Sequence, residues 1–306
     1  MGKGTQSFVA DPRNERVLVY VDGALVPRDE AKVSVFDSGF VLGDGVWEGF
    51  RLVNGRIAFL DAHLDRLYEG ARAIDLDPGP RAALVEALQR TIAANDMRDG
   101  VHVRLMVTRG LRKTPNQDPR IALGTPTIVI VAEWKEPDPE LFRRGLRLFT
   151  STIRCSPPDM FDMRLNSHSR LNLITALLQA IKAGADEALM LDPHGFVSSC
   201  NATNFFVVRR GELWTSTGRY CFRGITRGHV IELARRHGIP AFEKDFTLAE
   251  IYAADEAFVT GTFGGVAPVV AVDGHAIGTG RPGPTTARLR DLYRDLLTAQ
   301  GGTIAV

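Results

Sequence analysis

Three short segments of this chain could cradle an anion. In RGITRGHVIELARRHG, Gly224, Ile225 and Thr226 open a run whose apolar spacing predicts a helix. Free backbone N–H groups and the dipole at a helix start attract negative charge, and the Thr hydroxyl adds a donor. In VTGTFGGVAPV, small residues around Thr262 and Phe263 form a turn between two strand-like runs. Backbone amides can approach a ligand closely there. In HLDRL, His63 and Arg66 share one helix face, and Arg suits bidentate contact with a phosphate. Taken singly, each feature is ordinary. Thr caps many helices that hold no ligand, a glycine turn needs none, and most arginines sit in solvent. His168, between Ser167 and Ser169, could act as a base or an anion ligand, or be a satisfied loop histidine. Cys200 reads as a small buried residue rather than a nucleophile. Asp255 and Glu256 look like a carboxylate pair, but neighbours on a strand face opposite ways.

The elements that must position these residues follow from periodicity. Residues 17–27 predict a hairpin around Asp22-Gly23, and VWEGFRLVNGRIAFL predicts a second around Asn54-Gly55. Helices are expected over Leu60–Ile74 and Arg81–Asn95, then the strand VHVRLMVTRG, then a buried strand in TPTIVIVAEW. After a polar, proline-bearing stretch come the strand LRLFTSTI, a helix over Leu171–Ala183 and the strands EALMLD, NFFVVRR and ELWTS. A helix over Arg227–Arg236, strands AFVTGT and APVVAVDG, and an amphipathic helix over Thr285–Leu297 complete the pattern. This is an α+β order with a small domain over 1–134, a linker over 135–144 and a larger β-rich domain over 145–306.

Composition narrows the function classes. The chain has 306 residues, is 44% hydrophobic and 24% charged, and carries a formal net charge of +1, which gives no basis for nucleic-acid or membrane-surface binding. No apolar run approaches the ~20 residues of a membrane helix. The polar opening stretch, residues 1–15, lacks the apolar segment of a secretory leader. Three cysteines, Cys155, Cys200 and Cys221, form no CxxC pair; this argues against disulfides or a metal site and for the cytoplasm. Lysine is scarce, six against thirty-one arginines, so a catalytic lysine has few candidates.

In this order the segments resemble the class IV (fold type IV) pyridoxal-phosphate aminotransferases, which include branched-chain aminotransferase, D-amino-acid aminotransferase and aminodeoxychorismate lyase. The likeness runs from YVDGALVPRDEAKVSVFDSGFVLGDGVWEGFRLVNGRI through DAHLDRLYEGARAI to GADEALMLDPHGFVSSCNATNFFVV. It continues through RGITRGHVIELARRHGI and ADEAFVTGTFGGVAPV, and ends near residue 298. The resemblance implies a two-domain fold with the active site between the domains. It also implies pyridoxal 5'-phosphate as cofactor, an α-amino or α-keto acid as partner, and a homodimer whose second copy closes the pocket. By position, Arg66, Ile225, Thr226, Thr262 and Phe263 match the residues that hold the cofactor phosphate. Phe40, Trp47, Arg104 and Arg109 lie where the small domain lines the substrate pocket. Trp47 stands where the D-amino-acid enzymes have Tyr, which removes a hydroxyl.

Two departures cut against that inheritance. The family attaches the cofactor to a lysine that precedes a motif such as K-x-L-N. The matching segment, FDMRLNSHSRLNLITALLQAIKAGADEALML, has no lysine before Lys182, itself at a helix end. The K-x-L-N pattern puts Ser169 at the lysine position, a gapless count back from Gly184 and Glu187 gives Asn166, and charge points to Arg170. None is a primary amine. The family also sets a glutamate against the cofactor's ring nitrogen, and in GFVSSCNATN that position is Ser199. A serine can hydrogen-bond the nitrogen but cannot keep it protonated. A lysine substituted to trap a complex explains the first departure alone. A lineage that altered the mechanism explains both, as does a serine-bearing variant later changed at its lysine; the third alternative is that the match misplaces the lysine. Two functions are therefore expected: an aminotransferase-like protein with the cofactor non-covalent or absent, or a non-catalytic protein binding another phosphate-bearing ligand in the same cup.

Overall fold

A computed structural model describes residues 4–299, so part of the polar opening stretch lies outside the described residues. The chain divides into two compact units. The first holds Ala10–Glu136 and Leu165–Arg170; the second holds Pro137–Arg164, Leu171–Leu296 and the segment up to Val9.

The first unit contains β1 (Leu18–Val21), β2 (Ala24–Pro27), α1 (Ser38–Leu42), β3 (Gly45–Val53) and β4 (Arg56–Ile57). There follow α2 (Leu60–Ala73), α3 (Arg81–Ala94), β5 (Val101–Thr108) and β6 (Thr127–Trp134). Both expected hairpins form, and Asp22 and Asn54 take positive φ beside Gly23 and Gly55, the geometry that tight Asx-Gly turns favour. The strands make one antiparallel sheet in the order β2-β1-β6-β5-β3-β4. One face carries Val46, Phe50, Leu52, Val101, Val103, Leu105 and Ile130, packed on Leu64, Leu67, Leu88 and Ile92 of α2 and α3. β6 is less buried than its composition predicts: Thr127, Ile130 and Ala132 are buried and the other five residues half-buried. Its alternation belongs to an antiparallel sheet with one packed face, not to a doubly covered strand.

The second unit contains α4 (Pro139–Arg144), β7 (Leu146–Thr150), α5 (Pro158–Phe161), α6 (Leu171–Lys182), β8 (Glu187–Leu191), β9 (Val197–Cys200) and β10 (Asn204–Arg209). It continues with β11 (Glu212–Thr215), α7 (Ile225–Arg236), β12 (Ala241–Glu243), α8 (Leu248–Tyr252), β13 (Glu256–Gly261), β14 (Gly265–Val272), β15 (His275–Ala276) and α9 (Pro284–Ala299). The sheet order is β12-β11-β10-β13-β14-β7-β8-β9, with β15 on β14 and parallel pairs at β11/β12, β14/β7 and β7/β8. The polar stretch after β6 is not all extended: Asp138 caps α4 through the Glu140 N–H, and Leu141 is buried. Asp255 and Glu256 have separate structural tasks. Asp255 accepts from the Arg210 N–H, and Glu256 accepts from the Thr285 and Thr286 N–H groups at the start of α9.

Mixed helix and sheet, in two sheets, is the α+β class expected from the sequence.

Candidate functional site

In the first unit the segment Leu165–Arg170 lies along the start of β3. β4 pairs only with Leu52 and Val53, which leaves the Gly45–Trp47 edge open for other backbone. That edge is filled: the Trp47 N–H donates to the Asn166 carbonyl (2.9 Å), the His168 N–H to Gly45 (3.0 Å), and the Asn166 side-chain amide to the Trp47 carbonyl (2.6 Å). The indole N–H of Trp47 donates to the Ser167 carbonyl at 3.1 Å.

The three candidates for the lysine position therefore have different surroundings. Asn166 is buried against Trp47. Ser169 turns its hydroxyl to the Gly43 carbonyl (3.2 Å), at the end of α1. Arg170 lies with its guanidinium carbon 5.3 Å from the Trp47 ring centroid and donates to the Asn166 side-chain oxygen. Its Nε is buried with no partner. Lys182, at the last turn of α6, is exposed.

Arg104 stacks on the same indole, its guanidinium carbon 3.6 Å from the ring centroid. The cause is cross-strand: Arg104 pairs with Gly49, which has no side chain, so the guanidinium lies over Trp47 two residues away. Burial lowers the Arg104 pKa from its ordinary value. Arg170 is pushed down to about 10, first by burial and then by repulsion from Arg104, and stays protonated at neutral pH. His168 is pushed down to about 4, by burial and then by Arg104, with its ring bonded to the Val46 backbone. Its Nε2 is buried and unpartnered.

Glu48, on the opposite face of β3, organises Arg66. Its carboxylate accepts from Arg66 Nε at 2.7 Å and Nη2 at 2.6 Å, and pairs with His63 Nδ1 at 2.7 Å. Burial alone would raise the carboxyl; the hydrogen bonds from Arg66 and then His63 outweigh it and leave the pKa below its ordinary value. Arg66 is thus aimed by a buried carboxylate that the sequence reading did not single out, although Glu48 lies two residues before Phe50 of the same core face. Arg109 is not brought to Trp47. It donates to Asp44 through Nε and Nη2, and to the Ile74 and Asp75 carbonyls at the end of α2. Phe40 is 70% exposed on α1.

In the second unit, Gly224 caps α7 without a side-chain hydrogen bond. Its N–H donates to Asn204 Oδ1 at 3.2 Å, and a Cβ on Gly224 would lie 2.4 Å from that oxygen, so a side chain there would displace Asn204. Thr226 is buried, its hydroxyl 3.1 Å from that of Tyr293. Thr262 and Phe263 make the turn between β13 and β14, with Phe263 buried. Thr260 pairs with Asn204 across β13 and β10, and its hydroxyl is buried with no partner. Thr260 lies in the VTGTFGGVAPV segment, but nothing in the sequence distinguished it from its neighbours. The Ser199 hydroxyl donates to the Thr203 carbonyl at 2.8 Å, leaving lone pairs on its oxygen. The orphaned Thr260 hydroxyl beside the open start of α7 fits a phosphate-type ligand, whereas the Asn166–Arg170 segment offers no amine for covalent attachment. Among the described residues no group of three or more His, Cys, Asp or Glu could hold a metal ion, and no helix is long and apolar enough to cross a membrane.

A family model described as amino-transferase class IV matches residues 45–272. The chain is 40% identical over 293 residues to a branched-chain-amino-acid aminotransferase-like protein 2 of Arabidopsis thaliana, covering 95% of this chain and 52% of that protein. It therefore spans about half the length of that relative. It is 38% identical to a putative branched-chain-amino-acid aminotransferase of Methanocaldococcus jannaschii, covering 92% of this chain and 97% of that one. Among solved structures, the branched-chain aminotransferase of the thermophilic archaeon Thermoproteus uzoniensis, with norvaline, superposes with a TM-score of 0.83 at 32% identity, covering 93% and 95% of the two chains.

Proposed function

Because the chain belongs to the class IV aminotransferase family, we propose that it handles an α-amino or α-keto acid together with pyridoxal 5'-phosphate held without a covalent bond. One observation carries this reading: the residues matched to the phosphate site are present together with an unpartnered Thr260 hydroxyl, while the segment matched to the cofactor attachment has Asn166, Ser169 and Arg170 and no amine. When bound, pyridoxal phosphate would supply a reactive carbonyl and an electron-accepting ring. The Ile225 and Thr226 amides, the Thr226 hydroxyl, the Thr262–Phe263 turn and Arg66 would hold its phosphate. Ser199 would meet the ring nitrogen as an uncharged partner only by turning its proton from the Thr203 carbonyl to the nitrogen, and it cannot keep that nitrogen protonated. Phe40, Trp47 and Arg104 would receive the organic acid, with Arg104 taking its carboxylate; Arg109 is committed to Asp44 and α2. Arg170 cannot form the covalent link or shuttle a proton.

The reading extends to assembly and compartment. Leu171, Ile174, Leu178 and Ile181 expose an apolar stripe at heptad spacing along α6, which supports a homodimer. Three free, buried cysteines suit the cytoplasm.

Titration of the purified chain with pyridoxal phosphate and pyridoxamine phosphate, then borohydride reduction and intact mass, tests the proposal. Saturable binding with no covalent adduct is expected. An adduct of cofactor mass on any lysine overturns it. Binding of inorganic phosphate with neither cofactor form competing would favour the second reading, a non-catalytic protein that uses the cup for another phosphate-bearing ligand.

A further inference from the structure

Two guanidinium groups share one indole in the first unit, and neither has a carboxylate partner among the described residues. Arg104 stacks on Trp47, and its guanidinium forms no hydrogen bond or ion pair with any described residue. Arg170 lies over the same ring with a neutral amide, Asn166, as its hydrogen-bond acceptor, and its buried Nε points at no protein atom able to receive it. The buried carboxylate whose charge acts on Arg170, Glu48, is on the other face of β3 and is already bonded to Arg66 and His63. His168 adds a second buried, unpartnered nitrogen in the same segment. Arg104 and Arg170 are each half-buried, and holding two like charges together partly out of water is unfavourable unless something of opposite sign joins them. Guanidinium forks held over an aromatic ring are preorganised for a planar or tetrahedral oxyanion.

We infer that Trp47, Arg104 and Arg170 form a binding site for a small dianion, with Arg170 taking its second negative charge. Arg170 is then more than a lost lysine: it converts a one-charge acceptor into a two-charge acceptor. The inference rests on the reading above that Trp47 and Arg104 receive an anionic small molecule, and adds the charge that this molecule must carry. Two chemistries share that charge, a dicarboxylate and a tetrahedral oxyanion such as sulfate or a phosphate monoester.

The test is calorimetric titration of the intact chain at fixed ionic strength with malonate, sulfate and acetate. Malonate or sulfate is expected to bind at least about tenfold more tightly than acetate, because a second charge-assisted pair forms. Which of the two binds more tightly identifies the chemistry, and either supports the site. Arg170→Met should reduce the dianion's advantage over acetate to about twofold or less, whereas Arg170→Lys, which keeps the charge but loses the fork, should retain part of it. Arg104→Met should weaken all three anions. Equal binding of acetate and both dianions by the unaltered chain, or an advantage that survives Arg170→Met, overturns the proposal. Pyridoxamine phosphate titrated into the same preparations separates the two ideas. Loss of dianion preference with pyridoxamine phosphate still bound sinks only this inference. A chain that prefers dianions but ignores pyridoxamine phosphate keeps the site and sinks the cofactor reading.

Discussion

At the residue scale, function follows from where cationic side chains find their partners. Arg66 is held by Glu48 from one side, so its role can be tested separately from its charge. Arg66→Ala is expected to weaken pyridoxamine phosphate binding by at least roughly tenfold, about 1.4 kcal/mol, and to lower thermal stability, because Glu48 loses a buried partner. Arg66→Lys, which keeps the charge but not the fork, should bind with intermediate affinity. Unchanged affinity in both variants would refute Arg66 as a phosphate ligand. The lysine position can be tested by repair. Ser169 faces Gly43 and Asn166 is committed to the Trp47 carbonyl, while Arg170 reaches across Trp47. Arg170→Lys is therefore expected to yield a borohydride-stable cofactor adduct, and Asn166→Lys and Ser169→Lys are not. An adduct from either of those two and none from Arg170→Lys would move the assignment. Even with an adduct, turnover should be slow, since Ser199 cannot keep the ring nitrogen protonated, and adding Ser199→Glu should raise it.

At the element scale, the Leu165–Arg170 segment depends on α1 ending where it does. Gly43 closes α1 at φ 69°, and a Cβ there would lie 2.8 Å from the Ser169 hydroxyl. Gly43→Ala is expected to cost about 1–2 kcal/mol through the left-handed conformation alone, read as a lower denaturant midpoint. Gly228, inside α7 with open space around it, is the control. Gly228→Ala should stabilise by roughly 0.5–1 kcal/mol, since Ala gives up less chain entropy in a helix. The sheet itself should respond to acid. His102 is pushed down to about 3 and His168 to about 4, each first by burial and then by neighbouring cations, from an ordinary 6.5. Between those values and 6.5 the unfolded chain binds more protons than the folded one, so stability falls as pH drops. Thermal midpoints should decline from about pH 6.5 towards pH 3–4, and His102→Leu with His168→Leu should flatten that limb. A limb that is just as steep in the double variant would mean that other groups drive the acid sensitivity.

At the scale of the whole molecule, the exposed stripe on α6 predicts self-association. Leu171 is 75% exposed and Ile174, Leu178 and Ile181 are each about half exposed, spaced three and four residues apart. Such a stripe is favourable in water only when covered. Sedimentation should find a dimer, and Ile174→Asp with Leu178→Asp should produce a folded monomer. A dimer that persists in the double variant would put the interface elsewhere.

What the sequence determined alone was local. The two Asx-Gly hairpins, α2, α3, α7 and the strand runs follow from turn chemistry and periodicity, which act over a few residues. The helix start at Ile225 and the turn at Thr262 could be read for the same reason, since each is set by adjacent backbone. The short elements α1, α4, α5, α8, β9, β12 and β15 were not legible, because segments of two to six residues carry too little pattern and are fixed by packing. The tertiary structure alone decided the long-range pairings. Residues 165–170 join the first unit because β4 is too short to cover the edge of β3, Arg104 lies on Trp47 because its cross-strand partner is Gly49, and Arg66 answers to Glu48, eighteen residues away. None of these has a sequence signature: each depends on which strand edge or face the fold leaves open, and that is settled only when distant segments compete for the same backbone and the same space.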